Sequence, residues 1–175
     1  MNSRRLSLLA MISVALSAHS IWAIAQNRSK NAPLPWPSDI RTIAMDAQRQ
    51  GQPLLLMVSL PGCPWCELLR RNYLGPMRRN EGVVAFEFMI NEHKERFVDF
   101  QGQRITPAAW SEAMKVKTTP TVFFFNAQAQ EVAPRIEGIA SADLIGAILD
   151  ERLATARNHI QATRDASVTR AAVIR

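Results

Sequence analysis

The sequence predicts an α/β domain in which a central mixed sheet of about four to five strands is flanked by helices. Three observations carry that expectation. The runs 53–60 (PLLLMVSL), 83–90 (VVAFEFMI) and 121–125 (TVFFF) are almost continuously apolar and bounded by turn residues, as strands buried on both faces must be. Segments with apolar residues at helical spacing alternate with them. The 175-residue chain is 47% hydrophobic and 21% charged, which suits one globular core and leaves no room for two.

Along the chain the order is helix, strand, helix, strand, helix, strand, strand, helix. Residues 26–37 are polar and proline-rich, the composition of a linker or an extended lead-in strand. Ser38 is placed to cap a helix over 39–50, with Ile40, Ile43, Ala44 and Ala47 on one face and Gly51 closing it. The first buried strand follows and is broken by Pro61-Gly62. Cys63-Pro64-Trp65-Cys66 then opens a helix to about Tyr73, which Gly75-Pro76 ends or kinks. After the second strand, residues 91–105 are polar, with Phe97, Val98, Phe100 and Ile105 suggesting a short hairpin or lid. Thr106-Pro107 is a cap-plus-first-turn pair for a helix over 107–115. The third strand leads through the turn 126–129 to a fourth at about 130–136. Gly138 and Ser141 introduce a last helix carrying Leu144, Ile145, Ile148, Leu149 and Leu153. Beyond about residue 160 the periodicity weakens, so a frayed, polar extension is expected over 159–175.

The first 25 residues have a basic start (Arg4, Arg5), an apolar stretch, and Ala23 and Ala25 at the positions a signal peptidase requires. That is an export signal of bacterial style, cleaved before Gln26, and it points to the periplasm. The alternative is an uncleaved membrane anchor, because Leu6–Ala25 is just long enough to span a bilayer, although serines and His19 dilute it. Ser3-Arg4-Arg5 resembles a twin-arginine signal, but the following residues depart from that pattern. Asn27-Arg28-Ser29 fits a glycosylation acceptor that matters only in a eukaryotic secretory pathway. The formal charge of +6 falls to +4 without the leader (19 basic minus 15 acidic residues). The basic residues are scattered among acids with little aromatic interleaving, which argues against a nucleic-acid partner.

Cys63 and Cys66 are the only cysteines. A bridge between them closes a very short loop and adds little stability, so they are poor structural staples. A zinc site needs two further ligands, and His93 is the one histidine at a useful distance along the chain, so no metal is assigned. A redox role suits them better. A thiolate, not a thiol, attacks a disulfide, and a strand-to-helix turn places Cys63 where unsatisfied backbone N–H groups and the helix dipole favour a negative sulfur. Pro64 is tolerated at the first helical position because its missing N–H has no partner there. Cys66, one turn along, can reach back to Cys63. The two therefore read as attacking and resolving thiols, a redox-active disulfide that needs no cofactor. Glu67, a first-turn acid, suits the helix dipole and also repels a nearby thiolate. Trp65 is placed to offer an apolar patch to partner proteins.

With this context residues 38–155 resemble the thioredoxin superfamily, and within it the exported thioredoxin-like group that includes SoxW-type proteins and the catalytic domains of disulfide reductases and isomerases. The residues that carry the resemblance are strand 53–60, Cys63-Pro64-Trp65-Cys66, Thr118-Thr119-Pro120-Thr121 before the strand at 122–125, and Gly138. The resemblance implies a thioredoxin-like domain over 38–158. It further implies a cis Pro120 facing the dithiol, and a Thr119 backbone that with Pro120 holds the substrate chain by strand-like hydrogen bonds. It implies protein thiols and disulfides as partners, with a membrane or periplasmic electron donor. No separate dimerisation domain precedes the fold, so a monomer is expected. Three departures matter. Met57 stands where thioredoxin has a buried aspartate, leaving water, a substrate group, Glu87 or Glu92 to take the proton from Cys66. The intervening Pro-Trp replaces Gly-Pro and tunes the potential. Thr119 before the proline is a feature of bacterial disulfide isomerases, and its hydroxyl can hydrogen-bond the thiolate. The expectation is a periplasmic thiol–disulfide oxidoreductase that reduces protein disulfides. The alternatives are an isomerase or oxidase of the same fold, or a non-enzymatic soft-metal carrier or adaptor.

Overall fold

The computed structural model describes residues 33–173, with side chains to residue 166; the leader, the glycosylation pattern and the first part of the lead-in lie outside the described residues. Within this unit, β1 (Leu54–Ser59) is the central strand. It pairs in parallel with β2 (Val84–Met89), Leu54 opposite Val84 and Met57 opposite Glu87, and antiparallel with β5 (Thr121–Phe125), Val58 opposite Thr121. The short β6 (Ile136–Glu137) adds antiparallel to β5, so the sheet order is β2-β1-β5-β6. A mixed sheet of four strands covered by helices is what the apolar runs imply. The expected fourth strand over 130–136 is shorter: Glu131 makes one bridge to Phe125, and regular pairing resumes at Ile136.

All six residues of β1 are buried, because both sheet faces are covered. On one face Leu54, Leu56 and Val58 pack with Ile40 and Ala44 of α1 (Ile40–Arg49) and with an aromatic cluster of Phe88, Phe97, Trp110, Phe123 and Phe125. Trp110, from α4 (Pro107–Ala113), meets Phe88 and Phe123 edge-on with centroids 5.4 and 5.3 Å apart, the geometry that the ring quadrupoles favour. On the other face Leu55 and Met57 pack with Leu69, Leu74 and Met77, and with Ile145, Leu149, Leu153 and Ala156 of α5 (Ile145–Val173).

The capping residue of α1 is Asp39, whose carboxylate accepts from the Thr42 N–H at 2.9 Å; Ser38 instead gives its carbonyl to the Val98 N–H. Residues 91–105 form the expected hairpin, β3 (Phe97–Val98) with β4 (Arg104–Ile105). The helix after the dithiol does not stop at Gly75-Pro76. It runs as α2 (Pro64–Leu69), a π-helical turn (Arg70–Leu74) and α3 (Gly75–Glu81). Proline lacks an N–H and its ring crowds the carbonyl four residues back, and the wider π turn accommodates both. Gly75 N–H bonds to the Arg70 carbonyl, which sits where a side chain at residue 75 would begin.

Two further expectations change. Leu144 is exposed rather than in the core. The last helix continues to Val173 instead of fraying near 160, with Ala156 and Ile160 buried. At the near end, Leu34 joins the core and the Pro35 carbonyl accepts from the Glu87 N–H at 3.1 Å, so the lead-in touches the outer edge of β2 without forming a strand. Among the described residues no helix is long and apolar enough to cross a membrane.

Candidate active site

The end of β1, the turn Leu60-Pro61-Gly62 and the start of α2 build the site. Gly62 has φ +74°, a left-handed turn conformation that suits glycine. Cys63 follows as the helix cap, with extended backbone, and its Sγ accepts from the Cys66 N–H at 3.2 Å. Cys63 and Cys66 are joined as a disulfide with Cα atoms 5.3 Å apart. Cys63 is partly exposed while Cys66 is fully buried, so the two sulfurs differ in access although they share one turn. Pro64 occupies the first helical position, and Trp65 is 45% exposed beside it.

Across from the dithiol, the Thr119–Pro120 peptide bond is cis. The Thr119 carbonyl oxygen and hydroxyl each lie 3.9 Å from Cys63 Sγ. This loop is anchored from both sides. The Thr121 hydroxyl donates to the Thr118 carbonyl at 2.8 Å, and the Gly138 N–H to the Pro120 carbonyl at 2.8 Å. The residues singled out in the sequence around Cys63 and Thr119 therefore meet in space, although 56 positions separate them.

Glu67 is not a free negative charge: its carboxylate is ion-paired with both Arg70 and Arg71. Met57 is buried on the face that carries α2. Its partner in the next strand is Glu87, and paired residues of neighbouring strands project to the same side. Glu87 is thus a buried carboxylate one strand away from Met57. It accepts from the Ser59 hydroxyl at 2.5 Å and from Arg70 Nε at 2.7 Å, with a second bond from the guanidinium. Arg70 has its pKa raised, first by the Glu87 hydrogen bond, so it stays charged at any working pH. The sequence named Glu87 as one acid candidate; it did not show the Ser59–Glu87–Arg70–Glu67 chain that holds it. Arg70 was legible only as a helix residue.

Glu92 is elsewhere engaged. Its carboxylate accepts from the backbone N–H groups of Lys94 and Glu95, at 2.6 and 3.1 Å, which hold it below the usual carboxylate range. His93 is exposed in the same turn. Among the described residues no group of three or more histidines, cysteines or acids is arranged to hold a metal ion.

An open cleft of about 580 Å³ lies beside Cys63, between the lead-in segment and the dithiol turn, with Trp36, Leu60, Pro61 and Met89 among its apolar walls and Arg70 and Glu87 among its polar ones.

The geometry can be set beside known proteins. No curated protein matches the sequence. Solved structures with a similar fold include thioredoxin O2 from Arabidopsis thaliana in the oxidised state (13% identity, 68% of this chain and 93% of that one, TM-score 0.46). A poplar thioredoxin h is another (23% identity, 63% and 86%, TM-score 0.41). So is the periplasmic thioredoxin SoxS from Paracoccus pantotrophus in its reduced form (15%, 60% and 99%, TM-score 0.38). The model of the thioredoxin-like domain matches residues 42–153, which contain the whole sheet and the dithiol, and the chain belongs to that family.

Proposed function

We propose that this protein is a periplasmic thiol–disulfide oxidoreductase that reduces protein disulfides, with Cys63 attacking and Cys66 resolving. A thioredoxin-like domain with a CXXC pair at disulfide distance is the chemistry of thiol–disulfide exchange in general. The observation that carries the assignment of roles is the asymmetry of the pair. Cys63 is reachable and its sulfur receives the Cys66 N–H, whereas Cys66 is buried.

In the reduced protein the Cys63 thiolate attacks one sulfur of the substrate disulfide. One substrate thiolate leaves and takes up a proton, and a mixed disulfide forms. Cys66, its proton released to solvent, then attacks Cys63 Sγ and expels the second substrate sulfur as a thiolate, which takes up a proton in turn. Two electrons have passed to the substrate, and Cys63–Cys66 is the disulfide. Thr119 and Pro120 flank the attacked bond, where the Thr119 carbonyl offers a strand-like acceptor to the substrate chain. Pro64, Trp65 and Glu67 tune the pair by helix start, local polarity and charge.

The reductive direction is supported by the lack, among the described residues, of a cationic partner that would add to the helix start in stabilising the thiolate. Among the described residues, the donors that reach Cys63 Sγ are the Cys66 N–H and, at 3.9 Å, the Thr119 hydroxyl. The guanidiniums of Arg70 and Arg71 are committed to carboxylates. A weakly stabilised thiolate keeps the dithiol reducing, since it is a stabilised reduced form that makes a dithiol a strong oxidant. The Thr119 hydroxyl favours the second reading, an isomerase or oxidase, if it closes on the thiolate. The export pattern of residues 1–25 supports the compartment.

The test is a pair of variants with a protein disulfide as substrate. Cys63→Ser abolishes reduction, and Cys66→Ser accumulates mixed disulfides through Cys63. Undiminished turnover in both variants would overturn the reading. Equilibration with glutathione fixes direction: a potential near the roughly −270 mV of thioredoxin supports a reductase, one near roughly −120 mV an oxidase.

A further inference from the structure

We infer that the cleft beside Cys63 is a specificity pocket for a large apolar side chain next to the cysteine of a polypeptide substrate. The inference rests on the thiol–disulfide reading of Cys63 and adds what that exchange selects.

Cys63 forms part of the cleft wall, and Thr119, which meets the same sulfur, is not among the lining residues. Whatever is bonded to Cys63 Sγ during exchange is therefore tethered at the mouth of the cleft. A substrate polypeptide at this cysteine has Thr119-Pro120 against it and the cleft within reach of its neighbouring residues. Its volume of about 580 Å³ is that of an ordinary ligand pocket, which spans roughly 300–1,000 Å³.

The lining decides the chemistry of the occupant. Trp36 and Leu60 are large apolar residues left 38% and 39% exposed, and both line the cleft with Pro61 and Met89. The charged groups offer nothing to a charged ligand. Glu87 is held by Ser59 and Arg70, and Glu67 by Arg70 and Arg71. The lining's two carboxylates share its one guanidinium, and Glu67 is paired besides with Arg71 outside the lining, so each is already committed. A carboxylate or ammonium entering the cleft would lose water without gaining a free counter-charge. An aromatic or large aliphatic side chain gains by covering Trp36 and Leu60. The preceding residues of the chain, or a second copy, are the competing occupants, and either would leave exchange indifferent to the substrate side chain.

The experiment uses the full chain carrying Cys66→Ser. Short peptide disulfides with Phe, Gly or Asp beside the cysteine are equilibrated with it, and the mixed disulfide on Cys63 is quantified by mass spectrometry. Any free thiol undergoes this exchange, so the preference is readable whichever way electrons flow physiologically. The expected order is Phe over Gly by roughly tenfold or more, as for other apolar pockets, with Asp no better than Gly. Trp36→Ala and Leu60→Ser, made singly and together in the same background, bring the Phe-to-Gly ratio towards one. The ratio is taken within each variant, so a general loss of folded protein cancels. A ratio near one in the parent, or one that survives the double variant, overturns the inference. Loss of protein-disulfide reduction by the wild-type chain with the ratio intact would instead sink the proposed function and leave the pocket standing.

Discussion

Glu87 is the residue whose removal distinguishes a buried ion-pair network from ordinary packing. Its side chain is 4% exposed and that of Arg70 14%, and the carboxylate takes two bonds from Arg70 and one from Ser59. Glu87→Ala leaves the guanidinium mostly buried with Glu67 as its remaining partner, and the Ser59 hydroxyl without the carboxylate. Breaking one side of a buried pair costs about 3–5 kcal/mol. Glu67 and the open cleft relieve part of that, so about 3 kcal/mol is expected, near the lower end. For a domain of this size that corresponds to a fall in Tm of about 10 °C. Arg70→Ala should cost at least as much, because Glu87 then keeps only the Ser59 hydroxyl. The decisive variant is the double Arg70→Met/Glu87→Met. Replacing both charges with apolar groups of similar volume is often neutral or stabilising, so the double is expected to be more stable than either single. Urea denaturation of the oxidised protein, with coincident fluorescence and circular dichroism transitions, gives the cycle once Glu87→Met and Arg70→Met are also measured singly. Singles that each cost under about 1 kcal/mol, or a double as unstable as the sum of the singles, would refute the reasoning.

Gly75→Ala puts a Cβ 2.7 Å from the Arg70 carbonyl oxygen, a backbone atom that cannot move aside; the expected cost is about 1–3 kcal/mol by denaturation. Gly146→Ala meets the Tyr73 ring first, at 2.9 Å, and gains at most about 1 kcal/mol of helix propensity, so a change within about 1 kcal/mol of zero is expected. Trp110→Ala empties the centre of the aromatic cluster and should cost about 3–5 kcal/mol. Ile160→Ala should cost about 2 kcal/mol or more, whereas a frayed extension would give no change. Trp65→Ala is expected to slow exchange with protein substrates, and an unchanged rate would remove its docking role.

The sheet was legible because burial on both faces forces continuous apolar runs, as in 53–60 and 121–125, while the edge strand within 83–90 is apolar but half-buried at Val84, Phe86 and Met89. The dithiol was legible because its chemistry needs a fixed spacing. What escaped was tertiary. The π turn over Arg70–Leu74 is a response to Pro76 that local propensity reads as a helix end or a kink. The last helix outruns its amphipathic signal because good helix formers such as Ala, Arg and Gln propagate a helix already nucleated by Leu149 and Leu153. Leu144 sits at helical spacing with the core residues yet precedes the helix, so the spacing does not apply to it. Glu67 read both as an ordinary first-turn acid and as a charge moderating the thiolate, and its pairing with Arg70 and Arg71 follows the i,i+3 and i,i+4 spacing of that helix. The cleft was invisible for a similar reason. Trp36 belonged to a segment with the composition of a linker, and only its seat against Phe88 brings it to Cys63.

The central claim is that Cys63 alone is the attacking thiol, and alkylation of the reduced wild-type protein tests it most directly. With a limiting amount of iodoacetamide at neutral pH, peptide mapping should place nearly all of the label on Cys63, with Cys66 modified only after unfolding. Equal labelling of the two, or preferential labelling of Cys66, would contradict the account.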